Sequence, residues 1–114
     1  MSVYKACDIR GDAESELNAE LYRIWGQALG QQQPAGSRFV VGGDVRTTTE
    51  AFRLSLISGL VSGGMRVLDL GTAPTPMVHF AQRYYGAAAC ATVTASHSPA
   101  NVNGLKWSSA SYPP

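Results

Sequence analysis

The sequence predicts an α/β layer sandwich, a largely parallel sheet of four strands with helices on both faces. Three observations predict it. Short apolar runs alternate with stretches of helical spacing, in the order strand, helix, strand, helix, strand, helix, strand. Most of these segments are closed by a glycine stop or opened by a capping signal. The chain of 114 residues, 45% hydrophobic and 15% charged, is one domain large enough to bury a core without disulfide or metal staples.

Ser2 to Ala6 is a short strand candidate, and Asp8-Ile9-Arg10-Gly11-Asp12 after it reads as a turn. Leu17, Leu21, Ile24, Trp25, Ala28 and Leu29 form the apolar stripe of a first helix, ended by Gly30 and the polar connector Gln31 to Gly36. Phe39-Val40-Val41, bounded by Gly42-Gly43, suits a buried strand. Thr47-Thr48-Thr49-Glu50 has the form of a capping box, in which a threonine hydroxyl accepts from the N3 amide while Glu50 reaches back. The helix it opens carries Phe52, Leu54, Ile57, Leu60 and Val61 and stops at Gly63-Gly64. Met65 to Leu70 is the next strand. Thr75-Pro76 starts a third helix, with proline where its missing N–H costs nothing. Val78, Phe80, Ala81, Tyr84 and Tyr85 follow, and Gly86 stops it. Ala87 to Val93 is the fourth strand. Residues 1–107 are expected to form the domain, and the small polar run 108–114 to form a loose tail.

A net charge of +1 with scattered Lys and Arg gives no electrostatic footprint for nucleic acid or an anionic membrane, so neither is an expected partner. Cys7 and Cys90 lie far apart, without zinc-ligand spacing, and read as reduced, core-type thiols. There is no basic-then-apolar leader and no apolar run of membrane-spanning length, which predicts a cytoplasmic protein. Neither GxxxxGK[ST] nor GxGxxG occurs, so a nucleotide fold has no support.

The chemistry concentrates after the fourth strand. Thr94-Ala95-Ser96-His97-Ser98-Pro99, followed by Asn103-Gly104-Leu105-Lys106, sets a hydroxyl, an imidazole and an amine around a turn, where α/β proteins place their sites. A serine hydroxyl needs a base or an electrophile to act as a nucleophile. Adjacent residues in extended backbone face opposite ways, so Ser96 next to His97 does not imply a proton relay. No acidic third member is identifiable nearby, which argues against a hydrolase triad. Arg10 and Lys106 each follow a strand candidate. If those strands are neighbours, two cations converge on Ser96 and suit a phosphoserine, which carries about −1.5 to −2 charge. Asp44-Val45-Arg46 is a further polar cluster after a strand; it either ties down a loop and helps cap the next helix, or joins the site. His79 lies within a helical stretch and reads as a structural or surface histidine.

These segments resemble, in order, motifs of the α-D-phosphohexomutases, the family of phosphomannomutase and phosphoglucomutase. Asp8-Ile9-Arg10-Gly11 is similar to that family's Asp-Ile-Arg-Gly, and Gly42-Gly43-Asp44-Val45-Arg46 to its Gly-Arg-Asp-x-Arg. Asp69-Leu70-Gly71 with Pro74-Thr75-Pro76 looks like its Asp-x-Gly and Pro-Thr-Pro, and Thr94 to Pro99 looks like its phosphoserine loop. The resemblance implies the family's first domain, a three-layer α/β/α sandwich with a mixed, mainly parallel four-stranded sheet. It implies that Ser96 carries the phosphoryl group, that Arg10 and Lys106 flank it, that His97 lines the site, and that Asp44, Arg46 and Asn103 support the loop. It further implies a hexose phosphate as substrate and a hexose 1,6-bisphosphate as activator. Mg²⁺ would be bound by the phosphate of Ser96 together with ligands from domains this chain does not contain. Ser98 stands where the family usually has Asn, Gly43 where it has Arg, and Cys7 where many members have Tyr. With the metal loop and the sugar-recognition segments absent from the sequence, the chain alone is expected not to turn over. It is expected to self-associate or to work with partner domains. The alternative is a non-catalytic sugar-phosphate-binding or self-associating module derived from that domain.

Overall fold

The computed structural model describes residues 8–95, 98, 99 and 101–109. Among these, five strands and three helices follow one another as β1 (Asp8–Asp12), α1 (Ala19–Gln31), β2 (Arg38–Gly43), α2 (Thr49–Ser62), β3 (Arg66–Thr72), α3 (Thr75–Tyr84), β4 (Ala89–Val93) and β5 (Val102–Ser109). They form one sheet in the order β1-β5-β4-β2-β3. β2 pairs in parallel with β3 and with β4, whereas β5 runs antiparallel to β4 and to β1. The sheet is therefore mixed, with a parallel half and an antiparallel half.

The expected count of four strands is corrected to five, and the error has one cause. Asp8–Asp12 is a strand and not a turn, and Asn103 to Lys106 lie within β5 and not in a loop. Each of these segments is polar and carries a glycine, so neither shows the apolar run that marks β2 and β4. They become strands by pairing with each other, from Asp8 opposite Lys106 to Asp12 opposite Val102. The pairing is tight at Gly104, where a Cβ would sit 2.0 Å from the Ile9 carbonyl oxygen. β5 also runs through Ser108 and Ser109, so the strand continues two residues into the expected tail. The candidate strand Ser2 to Ala6 lies outside the described residues.

The crossovers decide which face each helix covers. α2 connects β2 to the adjacent β3, and α3 returns from β3 past β2 to β4. The two moves run in opposite directions along the sheet, and right-handed crossovers then place the two helices on opposite faces. α1 and α2 share one face, over a core that includes Ile9, Phe39, Leu56, Leu60 and Leu105. α3 covers the other face with Val78 and Ala81 on Val40, Ala87 and Cys90. With helices on both sides, β4 is buried along its whole length and uses small residues, Ala89-Cys90-Ala91-Thr92-Val93.

α1 and α2 cross through glycines. A Cβ on Gly59 would lie 2.0 Å from the Arg23 carbonyl oxygen, and one on Gly26 would lie 2.3 Å from the Leu56 carbonyl oxygen. Gly30 is part of this contact and sits inside α1, which runs one residue further, so Gly30 is a packing residue and not the expected stop. The close approach also rotates the apolar stripes. Tyr22, Gly26 and Leu29 face inward, while Ile24, Leu54 and Val61, expected in the stripes, are exposed. On α3, Phe80 and Tyr84 are exposed as well, as is Tyr85 just after it, with Phe80 stacked on Tyr84. No helix among the described residues is long and apolar enough to cross a membrane.

The expected capping box does not form. α2 begins at Thr49 with Thr48 as N-cap and no side-chain capping bond. The threonine hydroxyls are engaged elsewhere, by groups that lie at the C-terminal ends of the parallel strands.

Candidate functional site

β2 and β4 are neighbours, so the loops that leave their C-terminal ends lie side by side, with Gly43 opposite Val93 in the register. This is the edge of an α/β sheet where ligands bind. The loop after β2 begins with Asp44, and its backbone amide donates to the Val93 carbonyl at 3.1 Å. The Asp44 carboxylate then collects four donors. The Thr49 hydroxyl bonds Oδ1 at 2.7 Å and the Thr94 hydroxyl bonds Oδ2 at 2.7 Å. The Arg46 backbone amide bonds Oδ1 at 3.1 Å and its Nε bonds Oδ2 at 2.9 Å. Burial alone would push this carboxyl up; the hydrogen bonds from Thr49, Thr94 and Arg46 outweigh it and hold the group below the usual carboxylate range.

Arg46 continues the chain of contacts, its Nη1 donating to the Pro99 carbonyl at 2.7 Å. The segment from Thr94 to Asn101 is thus tied on both sides of residues 96 and 97. Thr94 is held by Asp44, and the Ser98 amide donates to the Ala95 carbonyl at 3.1 Å. The Ser98 hydroxyl accepts from Arg10 Nη1 at 3.3 Å. At the far side Asn101 Nδ2 donates to Asp12 at 3.1 Å, and the Asn101 carbonyl accepts from the Ala13 amide at 2.8 Å. Ser96 and His97 themselves lie outside the described residues.

Asn103, in β5, is fully buried. Its Nδ2 donates to the hydroxyls of Thr48 at 2.8 Å and Thr49 at 3.0 Å, and its Oδ1 accepts from the Gly104 amide. These bonds account for the missing capping box: the hydroxyls of Thr48 and Thr49 join the network of Asn103 and Asp44 and do not cap α2. Replacing Asn103 by leucine, of similar volume, is expected to cost about 2 kcal/mol, because bonded polar groups lose their partner in a buried place. Thermal unfolding of the variant measures this, and an unchanged midpoint would refute it.

Arg10 and Lys106 come from adjacent strands, as their convergence requires, although both lie within strands and not after them. Ile9 and Leu105, opposite each other, point into the α1–α2 core, so Arg10 and Lys106 project from the opposite face. On that face the charge of Lys106 reaches His79 of α3. Burial first, then Arg83 and Lys106, hold the imidazole below its ordinary pKa. His79 Nδ1 lies 3.6 Å from Cys90 Sγ, and that buried thiol donates to Gln82 Oε1 at 3.1 Å. Burial pushes the Cys90 thiol up, the opposite of what a reactive cysteine needs.

Gly43 has a packing reason. A Cβ there would lie 2.5 Å from the Thr49 methyl group, and Arg53 passes nearby on its way to an ion pair with Asp69. Among the described residues no group of three or more His, Cys, Asp or Glu is placed to hold a metal. Asp44, the carboxylate that holds Thr94, has both oxygens engaged by Thr49, Thr94 and Arg46. The described residues do not by themselves fit a Mg²⁺ site.

Sequence reasoning missed the threonines as members of the site, and it missed Tyr22. Tyr22 is buried in α1 and its hydroxyl donates to the Gly104 carbonyl at 2.8 Å. The row Tyr22, Gly26, Leu29 has helical spacing and was the available signal.

Residues 1–111 match the family described as phosphoglucomutase/phosphomannomutase, alpha/beta/alpha domain I. The chain belongs to this family. It is 44% identical over 110 residues to a phosphomannomutase of Vibrio cholerae, covering 93% of this chain and 24% of that protein. It is 44% identical over 107 residues to a phosphomannomutase of Klebsiella pneumoniae, covering 93% of this chain and 67% of that protein. The fold superposes with a TM-score of 0.82 and 34% identity on a phosphoglucomutase/phosphomannomutase family protein from Burkholderia thailandensis, over 92% of this chain and 25% of that one. The chain thus spans about a quarter of the length of the Vibrio relative and of the solved structure. The region these family members share with it is the one that holds the Asp44 network and the strand pair bearing Arg10 and Lys106.

Proposed function

We propose that this chain is the phosphoryl-carrying domain of a phosphohexomutase, with Ser96 as the group that takes up and returns the phosphoryl group of a hexose phosphate. In the uptake step the Ser96 oxygen forms a bond to phosphorus of a hexose bisphosphate as the sugar O–P bond breaks. The serine proton is released and the sugar oxygen leaves as a hydroxyl after taking up a proton, so the step needs no oxidant or further reactant. Such transfers depend on positioning and on cations around the spread charge of the phosphoryl group. Arg10 supplies a planar fork and Lys106 a mobile point charge on the same sheet face. His97, next to Ser96 in the sequence, is read as a further donor. The single observation that carries the reading is the tethering of the segment on both sides of Ser96, by Asp44 at Thr94 and by Arg46 at Pro99.

The test is intact mass after incubation with a hexose 1,6-bisphosphate and Mg²⁺. One phosphate is expected on the parent and none on Ser96→Ala. No phosphate on the parent, or equal uptake by both, would overturn the reading.

A further inference from the structure

The phenol of Tyr22 is a polar group in an apolar place. Its ring stacks on Phe52 at 4.4 Å and meets Trp25 edge-on at 4.9 Å, and it is fully buried among Leu56, Leu60 and Leu105. A phenylalanine would fill the same volume. Burying a hydroxyl costs free energy unless it is bonded, so the bond it makes is where its effect must be sought.

That bond goes to the Gly104 carbonyl, which also accepts the Thr94 amide at the longer distance of 3.3 Å. The regular β4–β5 register ends at Thr92 opposite Lys106, and the Thr94–Gly104 bond is the rung beyond it. Across β5 on the other side, Gly104 pairs with Arg10. One row therefore runs across two strands and the start of the tethered segment: Arg10 on β1, Gly104 on β5, and Thr94 just after β4. The Tyr22 hydroxyl reaches the middle of this row from α1.

We infer that Tyr22 is a positioning residue for the proposed transfer: its hydroxyl fixes the Gly104 rung, and so sets Arg10 and the Ser96 segment relative to each other. The inference rests on the reading of Ser96 given above. Tyr22 touches no substrate; it acts through Gly104 and Thr94. A hydrogen bond at the frayed end of a ladder is weak alone, and a second, shorter donor on the same carbonyl holds that carbonyl in line. Burial, and then the charge of Asp44, push the phenol far above its ordinary pKa, so it stays protonated as a donor throughout the neutral range.

Tyr22→Phe removes the hydroxyl and keeps the ring. Hydrogen exchange of the Thr94 amide is expected to rise about tenfold relative to the Val40 and Val41 amides of β2, the factor that corresponds to one lost bond. The maximal rate of phosphate uptake is expected to fall by about the same factor, with the half-saturating bisphosphate concentration unchanged. Leu29→Val serves as a control. It loosens the same helix without touching the rung, and should leave both the relative exchange of Thr94 and the uptake rate as in the parent. If Tyr22→Phe leaves Thr94 protected, or if Leu29→Val exposes Thr94 equally, the inference is overturned. If the parent takes up no phosphate, the reading of Ser96 fails, while the Thr94 exchange still decides whether Tyr22 holds the rung.

Discussion

Gly59→Ala is expected to destabilise the domain by about 3 kcal/mol, even though alanine is the better helix former by about 1 kcal/mol. The two effects have opposite signs, and geometry decides between them. The new Cβ would sit 2.0 Å from the Arg23 carbonyl oxygen, which is backbone and cannot rotate away as a side chain could. α1 and α2 must separate, and the layer of Tyr22, Phe52, Leu56 and Leu60 between helices and sheet opens with them. Ser58→Ala, at an exposed position of the same helix, supplies the propensity gain without the clash and should leave stability equal or higher. Urea unfolding of both variants measures the difference. Equal midpoints would show that the helices have room to give.

Asp44→Ala is expected to cost about 3 kcal/mol at neutral pH, because one carboxylate satisfies Thr49, Thr94 and two groups of Arg46 in a partly buried place. The pH dependence has a definite sign. The folded carboxyl titrates below its ordinary value of 3.8, so its contribution is fully present above that value and is lost as pH falls through the lower folded pKa. The gap in stability between parent and variant should therefore be constant around neutrality and should narrow in acid. A gap that widens in acid would contradict the assignment of the shift to Asp44. The same variant unties Thr94 and leaves Arg46 without its carboxylate partner, so the Ser96 segment loses support at Thr94 and the Arg46 tether to Pro99 is loosened. Phosphate uptake should fall with it.

The elements that were legible in the sequence share one property: their signals are local. β2 and β4 announce themselves as apolar runs because both faces of the central sheet are covered. α2 and α3 are bracketed by Gly63-Gly64 and by Pro74 and Pro76. The two misread strands have no local signal. Asp8–Asp12 and Val102–Ser109 are polar segments that become strands through each other. The pairing brings Arg10 and Lys106 onto one face, which the spacing of those residues in the sequence does not show. The stripe of α1 was displaced toward Tyr22 because glycines at positions 26 and 30 let α2 approach, and a glycine carries no hydrophobicity by which a pattern could register it.

By itself the sequence determined the alternation of helices and parallel strands, the place of the polar segment after β4, and the ordered motifs that mark the family. Each follows from residues a few positions apart, through periodicity, turn chemistry or direct likeness. Only the tertiary structure decided the antiparallel half of the sheet and the recruitment of Thr48 and Thr49 to Asn103 and Asp44. It alone decided the double tether around Ser96 and the reach of the Tyr22 hydroxyl to Gly104. The bonds of Thr94 to Asp44, Asn103 to Thr48 and Tyr22 to Gly104, and the pairing of β1 with β5, join residues roughly 50 to 100 positions apart. A hydrogen bond or a strand pair over such a span exists only when the whole core has brought both ends together.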